Sequence, residues 1–331
     1  MTAPTLTNSV PHRQPPRVEL AETLELPSVS GDLLCIGDLD GPTIIEMLDL
    51  AIELKADPAK FSNSLTGMSI ALIFEKPSLR TRASLEVGIH RLGGQSVVFD
   101  QQDSPIGVRE SVHDLGRNLE RWFDAVAARV HRHEVVEELA SHCDVPVVNT
   151  LSDRHHPCQA LADLLTLHER GLVLADSHIA FVGDGNNVCH SLIQAMVAVG
   201  GRITVISPDD HGPDPKVIDD ARILAARTGA EIVVTSDPDQ VAGVDAIYTD
   251  SWISMGEDQN PEKIASLARF RVDAALMATA GPKAIFMHCL PAHRGEEVTA
   301  EVIDGRASVV FDQAENRLHA QNAWLVARLA R

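Results

Sequence analysis

Apolar positions along the chain switch repeatedly between a spacing of three to four residues and short continuous runs, and each switch marks an element. Ile45, Leu48 and Ile52 recur at helical spacing, and a strand-like run follows at Ser69–Phe74. A polar turn containing Pro77 leads into a helical stretch that ends at Gly93 and Gly94. Short β-rich runs at 96–99, 125–129 and 146–149, with an amphipathic stretch between, complete a first series. A second series opens with a strand at 178–183 and continues through 202–207, 231–235, 245–249 and 284–287, with helical patterns between most of them. A helix over about 158–169, with Leu161, Leu164, Leu165 and His168 on one face, joins the two series. A last helical pattern lies beyond Glu315. Strands alternating with helices predict an α/β protein of two domains, each an open parallel sheet flanked by helices, joined by interdomain helices. The expected divisions are an N-terminal arm at 1–30, a first domain at 31–150 completed by a C-terminal helix at about 315–331, and a second domain at 151–314.

A length of 331 residues fits two cores better than one. Apolar residues make up 44% and charged residues 23%, and no apolar run approaches the roughly 20 residues of a membrane helix, so no membrane partner is expected. The 28 Lys and Arg against 47 Asp and Glu leave a net charge of −19, which repels nucleic acid and anionic lipid. Any anion site must therefore be local. Five cysteines without regular spacing do not form a disulfide framework, which points to a reducing, cytoplasmic setting. Residues 1–30 contain several prolines but no apolar signal core and read as an arm.

Against that acidic background, strand 70–74 runs into Glu75-Lys76-Pro77-Ser78-Leu79-Arg80-Thr81-Arg82 and then a helix. This places hydroxyls and guanidinium groups at a helix N-terminus, where a compact anion binds. On spacing alone, a Ser cap beside two solvated arginines explains it equally well. The segment His155-His156-Pro157-Cys158-Gln159 opens the joining helix, and alone it reads equally as a helix start. Gly183-Asp184-Gly185-Asn186-Asn187-Val188 follows a strand but has Val188 where a dinucleotide fingerprint needs its third glycine, so an oxidoreductase is a weak alternative. A metal-binding regulator would use His155, His156, Cys158, His288, Cys289 and His293, whose spacings match no structural zinc pattern.

These segments, with Asp250-Ser251-Trp252-Ile253-Ser254-Met255-Gly256 and His288-Cys289-Leu290-Pro291, together resemble the aspartate/ornithine carbamoyltransferase family from about residue 33 to residue 324. The His-Cys-Leu-Pro signature and the Asp-x-Trp-x-Ser-Met-Gly loop resemble its ornithine-specific members. The resemblance implies that Ser78, Arg80, Thr81 and the Leu79 backbone N–H hold the phosphate of carbamoyl phosphate. It implies the same substrate for Arg129, His156, Gln159 and Arg317, with Arg129 and His156 polarising the carbonyl. Asn187 is implied to take the α-carboxylate of L-ornithine, while Asp250, Ser254 and Met255 take its α-ammonium. Cys289, the Leu290 carbonyl and Asp250 are implied to orient the δ-amine and assist its deprotonation. The expected products are citrulline and phosphate, with no cofactor and no metal, in a homotrimer or a multiple of trimers. One departure stands out. Pro105 occupies the position of a family glutamine that reaches the neighbouring subunit's carbamoyl phosphate, and proline has neither a side-chain amide nor a backbone N–H. A weakly active homologue, or one acting on another amine, remains the alternative.

Overall fold

The computed structural model describes residues 26–101, 105–253 and 260–330. Nine strands are present among them: β1 (Ser69–Phe74), β2 (Gln95–Asp100), β3 (Ala125–Arg129), β4 (Val147–Leu151), β5 (His178–Val182), β6 (Arg202–Ile206), β7 (Glu231–Thr235), β8 (Ala246–Thr249) and β9 (Ile285–His288). They form two sheets, ordered β2-β1-β3-β4 and β7-β6-β5-β8-β9. Every pairing is parallel. Helices cover both faces, which is why Ile70, Leu72, Val126, Ala127, Ile179 and Phe181 form near-continuous apolar runs. The family-like expectation of two open parallel α/β sheets therefore matches the structure. None of the described helices is long and apolar enough to cross a membrane.

Strand order fixes where a site can form. In the first sheet the chain goes from β1 outward to β2 and then back across to β3, so β1 and β3 flank a crevice. In the second sheet β5 and β8 flank the corresponding crevice. Ligands of open parallel sheets bind at the carboxyl ends of strands at such reversals. Ser78 and Asp250 lie in the segments after β1 and β8, Arg129 ends β3, and Asn187 opens the helix that follows β5.

The joining helix, Pro157–Glu169, starts with proline at its first turn, where the missing N–H costs nothing. Its environment differs from the expected one-sided face: it is buried on every side from Pro157 to Leu167, and His168 is partly exposed. The last helix, Val310–Leu329, packs along it and also against helices Gly41–Ala56 and Arg80–Arg91. That last helix begins at Val310, several residues before the expected start, and its first turn carries the exposed Phe311. Gly88 makes one close approach possible, since a Cβ there would sit 2.2 Å from Asn322 Oδ1. Helix Arg80–Arg91 is thereby held near the segment that carries Arg317.

Near the carboxyl ends of β3 and β4, three histidine rings meet edge to face. The His133 and His155 rings lie 4.9 Å apart and the His155 and His190 rings 6.3 Å apart. Burial lowers the pKa of all three, that of His155 to about 3. Each binds its proton more weakly folded than unfolded, so its contribution to stability is intact above the ordinary value of 6.5 and is lost as pH falls below it. The histidines should make the protein less stable in acid, His155 contributing about 1 kcal/mol per pH unit between roughly pH 6 and pH 4, while the buried Asp163 carboxyl, raised to about 7, acts in the opposite direction, so the histidine contribution is read as the difference between wild type and a variant. Calorimetry across that range, with His155→Gln showing a shallower acid slope, checks this; parallel slopes for both proteins would count against it.

Candidate active site

The carboxyl ends of the two sheets face each other across a cavity of about 510 Å³. Ser78, Leu79, Arg80, Thr81, Arg129, His156 and Arg317 line one end. Asn187, Asp250, Cys289 and Leu290 line the other. Gln159 lies just beneath the surface of the first end, bonded to Arg317. Ser254 and Met255 fall outside the described residues.

The first end is built on helix Arg80–Arg91, whose cap residue Leu79 makes no side-chain cap bond and whose first turn holds no acidic residue. Its leading N–H groups are thus without a side-chain cap and open to an anion. Arg129 closes β3 at a point where the register with β4 slips: Ala128 pairs with Asn149 but Arg129 with Leu151, which passes over Thr150. Such irregularities re-aim a side chain next to a site. Arg129 Nη1 donates to Thr81 Oγ1 at 3.4 Å, and Arg317 Nη2 donates to the same oxygen at 2.5 Å. Arg317 Nη1 donates to Gln159 Oε1 and approaches His156 Nε2 at 3.5 Å.

Electrostatics define what this end accepts. Burial, then the neighbouring Arg317 and Arg80, lower the Arg129 pKa to about 10, and burial also lowers that of Arg317. Three guanidinium groups close enough to lower the pKa values of Arg129 and Arg317 favour the arrival of an anion among them. His156, fully enclosed and beside Arg317 and Arg129, is held well below the ordinary histidine range. It is therefore a neutral imidazole that gives or takes a single hydrogen bond at each ring nitrogen.

The second end centres on Asp250. Cys289 Sγ donates to its Oδ1 at 3.0 Å and Asn186 Nδ2 donates to its Oδ2 at 2.8 Å. Burial, reinforced by Asp250, raises the Cys289 thiol well above its ordinary value, so the sulfur is a neutral donor rather than a thiolate. Asn187 Nδ2 donates to the Ser152 carbonyl at 2.6 Å, which ties the β5 loop to the end of the first domain's sheet. Leu290 adopts φ 58° immediately before Pro291, a left-handed geometry that costs a non-glycine residue about 1 kcal/mol or more. His288 Nδ1 supports it by accepting from Leu290 N at 2.9 Å.

Sequence reasoning did not identify Asn186, which caps helix Asn187–Ala198 through Val188 N and Cys189 N and also reaches Asp250. An Asn before a helix after a strand is a cap signal, but its second bond crosses between loops and leaves no local trace. Lys76, Asp184 and His293 also line the cavity and were not anticipated in that place. The glycine pair that suggests a dinucleotide fingerprint has a packing explanation, because a Cβ at Gly185 would meet Pro213 N at 2.2 Å. Pro105 opens a turn in which Ile106 N donates to Glu75 Oε1 at 2.6 Å, and Glu75 Oε2 accepts from His131 N at 2.7 Å.

Known families carry the same two halves in the same order. The family described as aspartate/ornithine carbamoyltransferase, carbamoyl-P binding domain, matches residues 31–169, and the one described as its Asp/Orn binding domain matches residues 175–328. The ornithine carbamoyltransferase of Shewanella oneidensis is 49% identical over 297 residues, 88% of this chain and 97% of the relative. That of Listeria innocua is 45% identical over 301 residues, 90% of this chain and 95% of the relative. Among solved structures, the ornithine carbamoyltransferase from Pyrococcus furiosus superposes with a TM-score of 0.87 at 44% identity, covering 90% of this chain and 97% of that one. The Thermus thermophilus enzyme gives 0.81 at 45% identity, with 91% and 99% covered. With both domains matched and the arginine pocket facing the Asp250 loop across one cleft, the chain belongs to the aspartate/ornithine carbamoyltransferase family.

Proposed function

We propose that this protein transfers the carbamoyl group of carbamoyl phosphate to the δ-amine of L-ornithine, giving L-citrulline and phosphate. The observation that carries the reading is the opposition of two unlike pockets in one cavity. A cluster of Arg80, Arg129 and Arg317 demands a dianion, and Asp250, braced by Cys289 and Asn186, offers a carboxylate to an amine.

Carbamoyl phosphate binds with its phosphate on Ser78, Thr81, Arg80 and the N–H groups from Leu79 onward, and with its carbonyl toward Arg129, His156 and Gln159. Ornithine then enters with its α-carboxylate toward Asn187 and its α-ammonium toward Asp250, Ser254 and Met255, leaving the δ-amine near Cys289 and the Leu290 carbonyl. The neutral amine attacks the carbonyl carbon, and the developing oxyanion is stabilised by Arg129 and His156. The C–O bond to phosphate breaks, and the departing phosphate, held by the arginines, takes the proton released by the amine. Carbamoyl phosphate is already activated, so positioning and charge neutralisation suffice, and we assign no cofactor and no metal to the reaction.

We further place the enzyme in the cytoplasm, which all five free thiols suit, and in a homotrimer or a multiple of trimers. Leu79 and Val108, 78% and 73% exposed, are apolar side chains available to a neighbouring subunit at the carbamoyl phosphate end. Citrulline formation from carbamoyl phosphate and L-ornithine is the deciding assay, run beside parallel carbamoylation assays with aspartate, putrescine and N-acetylornithine as acceptors. Turnover with ornithine alone is expected. Turnover only with another amine would keep the transferase and overturn the acceptor assignment.

A further inference from the structure

A line of buried side chains, whose middle members Asp163 and Gln313 the transfer steps leave unused, connects the two ends of the cavity. It starts at Thr81, passes through Arg317 to Gln159 Oε1, and continues from Gln159 Nε2 to Asp163 Oδ1 at 2.8 Å. The same carboxylate oxygen accepts from Gln313 Nε2 at 2.7 Å. Gln313 Oε1 accepts from His288 N at 2.9 Å, and His288 Nδ1 accepts from Leu290 N. None of Thr81, Arg317, Gln159, Asp163, Gln313 and His288 is more than 4% exposed.

The direction of every bond in this line is forced from its ends. Arg317 and the His288 backbone N–H can only donate, so each must meet an amide oxygen, and both amide NH2 groups therefore point inward to Asp163. An ionised carboxylate, which only accepts, is the group that satisfies two converging donors. If Asp163 were protonated or replaced by a donor, either amide could flip, and a flipped Gln159 would set its NH2 against the Arg317 guanidinium.

We propose that Asp163 is a positioning residue for carbamoyl transfer. Its charge aligns Gln159 and Arg317 on the carbamoyl phosphate side and, through Gln313, the His288–Leu290 turn on the acceptor side, so both pockets depend on one buried carboxylate. This rests on the transferase reading above. Burial pushes the Asp163 carboxyl up to about 7, against the pull of its bonds to Gln159 and Gln313, of the nearby Tyr248 hydroxyl and of Arg317. The groups facing it are Arg317 from the last helix, Tyr248 from β8 and Cys289 from the turn after β9. Because Tyr248 and Cys289 are both held in their neutral forms by burial, Asp163 is the member of the set that changes charge near neutrality.

The test compares wild type, Asp163→Asn and Gln313→Met by kcat and KM for each substrate between roughly pH 5.5 and pH 9, with phosphate affinity measured separately by calorimetry. Wild type should lose kcat/KM for carbamoyl phosphate as pH drops through about 7. Asp163→Asn should show no such acid limb and a KM for carbamoyl phosphate raised about tenfold at alkaline pH, the scale of a lost bond to a charged group. Gln313→Met should raise the ornithine KM severalfold and leave the carbamoyl phosphate KM nearly unchanged. A wild-type pH profile with unchanged KM values in Asp163→Asn overturns the proposal, even if its melting temperature falls. Should that variant not fold, equal KM values for Gln313→Met and wild type overturn it instead. If wild type itself forms no citrulline, the transferase reading fails, and Asp163→Asn with unaltered pH dependence of phosphate affinity then overturns the positioning role as well.

Discussion

Replacing Arg80 with alanine is expected to lower kcat/KM for carbamoyl phosphate by roughly 10²- to 10³-fold, about 2–4 kcal/mol, while leaving the melting temperature unchanged or slightly raised. The sign of the stability effect follows from where the residue sits. Arg80 is the first residue of its helix, where the dipole is positive and a cation is unfavourable. It also lowers the pKa values of Arg129 and Arg317, which means that it destabilises their charged forms. Removing it relieves both costs in the empty protein and exposes no buried partner, since Arg80 is only half-buried. With phosphate bound the balance reverses, because the lost cation is one of three facing the anion. Differential scanning calorimetry with and without inorganic phosphate separates the two: the phosphate-induced rise in melting temperature should shrink in Arg80→Ala. Near-normal turnover together with a full phosphate-induced rise would sink the assignment of this end of the cavity.

The residues of this end are legible through their resemblance to a family motif, since the spacing alone fits a Ser cap beside two solvated arginines equally well. A helix start without acidic residues and with Arg80 and Arg82 in its first turn contradicts local preference, and such contradictions concentrate at functional sites. The alternation of strands and helices was equally legible, because both-face burial of β1, β3 and β5 writes continuous apolar runs. What stayed hidden depends on contacts between distant segments. The slip in register at Arg129 arises from how β3 meets β4, and neither strand's composition records it. The full burial of Pro157–Leu167 follows from the last helix returning more than 140 residues later to cover its outer side, as the bond between Gln313 and Asp163 records. Gln313 and Asp163 themselves look like ordinary polar helix positions until the two helices are laid together.

The two pockets also differ in how they meet their electrostatic cost. The carbamoyl phosphate end assembles like charges, which an arriving anion relieves. The acceptor end keeps its charge but is fixed in orientation in advance, with both oxygens of Asp250 already receiving hydrogen bonds from neutral donors. An anion is thus stabilising at the first end as soon as it arrives, whereas an amine at the second must fit around existing bonds. This asymmetry favours carbamoyl phosphate binding before ornithine.

The largest effect on the acceptor side is expected from Asp250→Asn, with kcat for ornithine falling by on the order of 10³-fold while phosphate affinity stays within about twofold of wild type. The substitution keeps size but removes charge and turns one of the two oxygens into a donor. Cys289 Sγ and Asn186 Nδ2 both donate to Asp250, so one of them would face an NH2 group and have to turn away. The ammonium of the acceptor would lose its counter-charge at the same time. A second readout comes from the thiol. Burial is the first cause of the raised Cys289 pKa and Asp250 the next, so neutralising position 250 should bring the thiol pKa down while leaving it above the ordinary value. Alkylation of Cys289 by iodoacetamide at mildly alkaline pH, scored by mass spectrometry against the other four cysteines, should therefore run faster in Asp250→Asn than in wild type. Slow turnover with faster alkylation places the carboxylate between thiol and substrate, as the 3.0 Å contact implies. Wild-type turnover in this variant would mean that the amine is held elsewhere in the cavity.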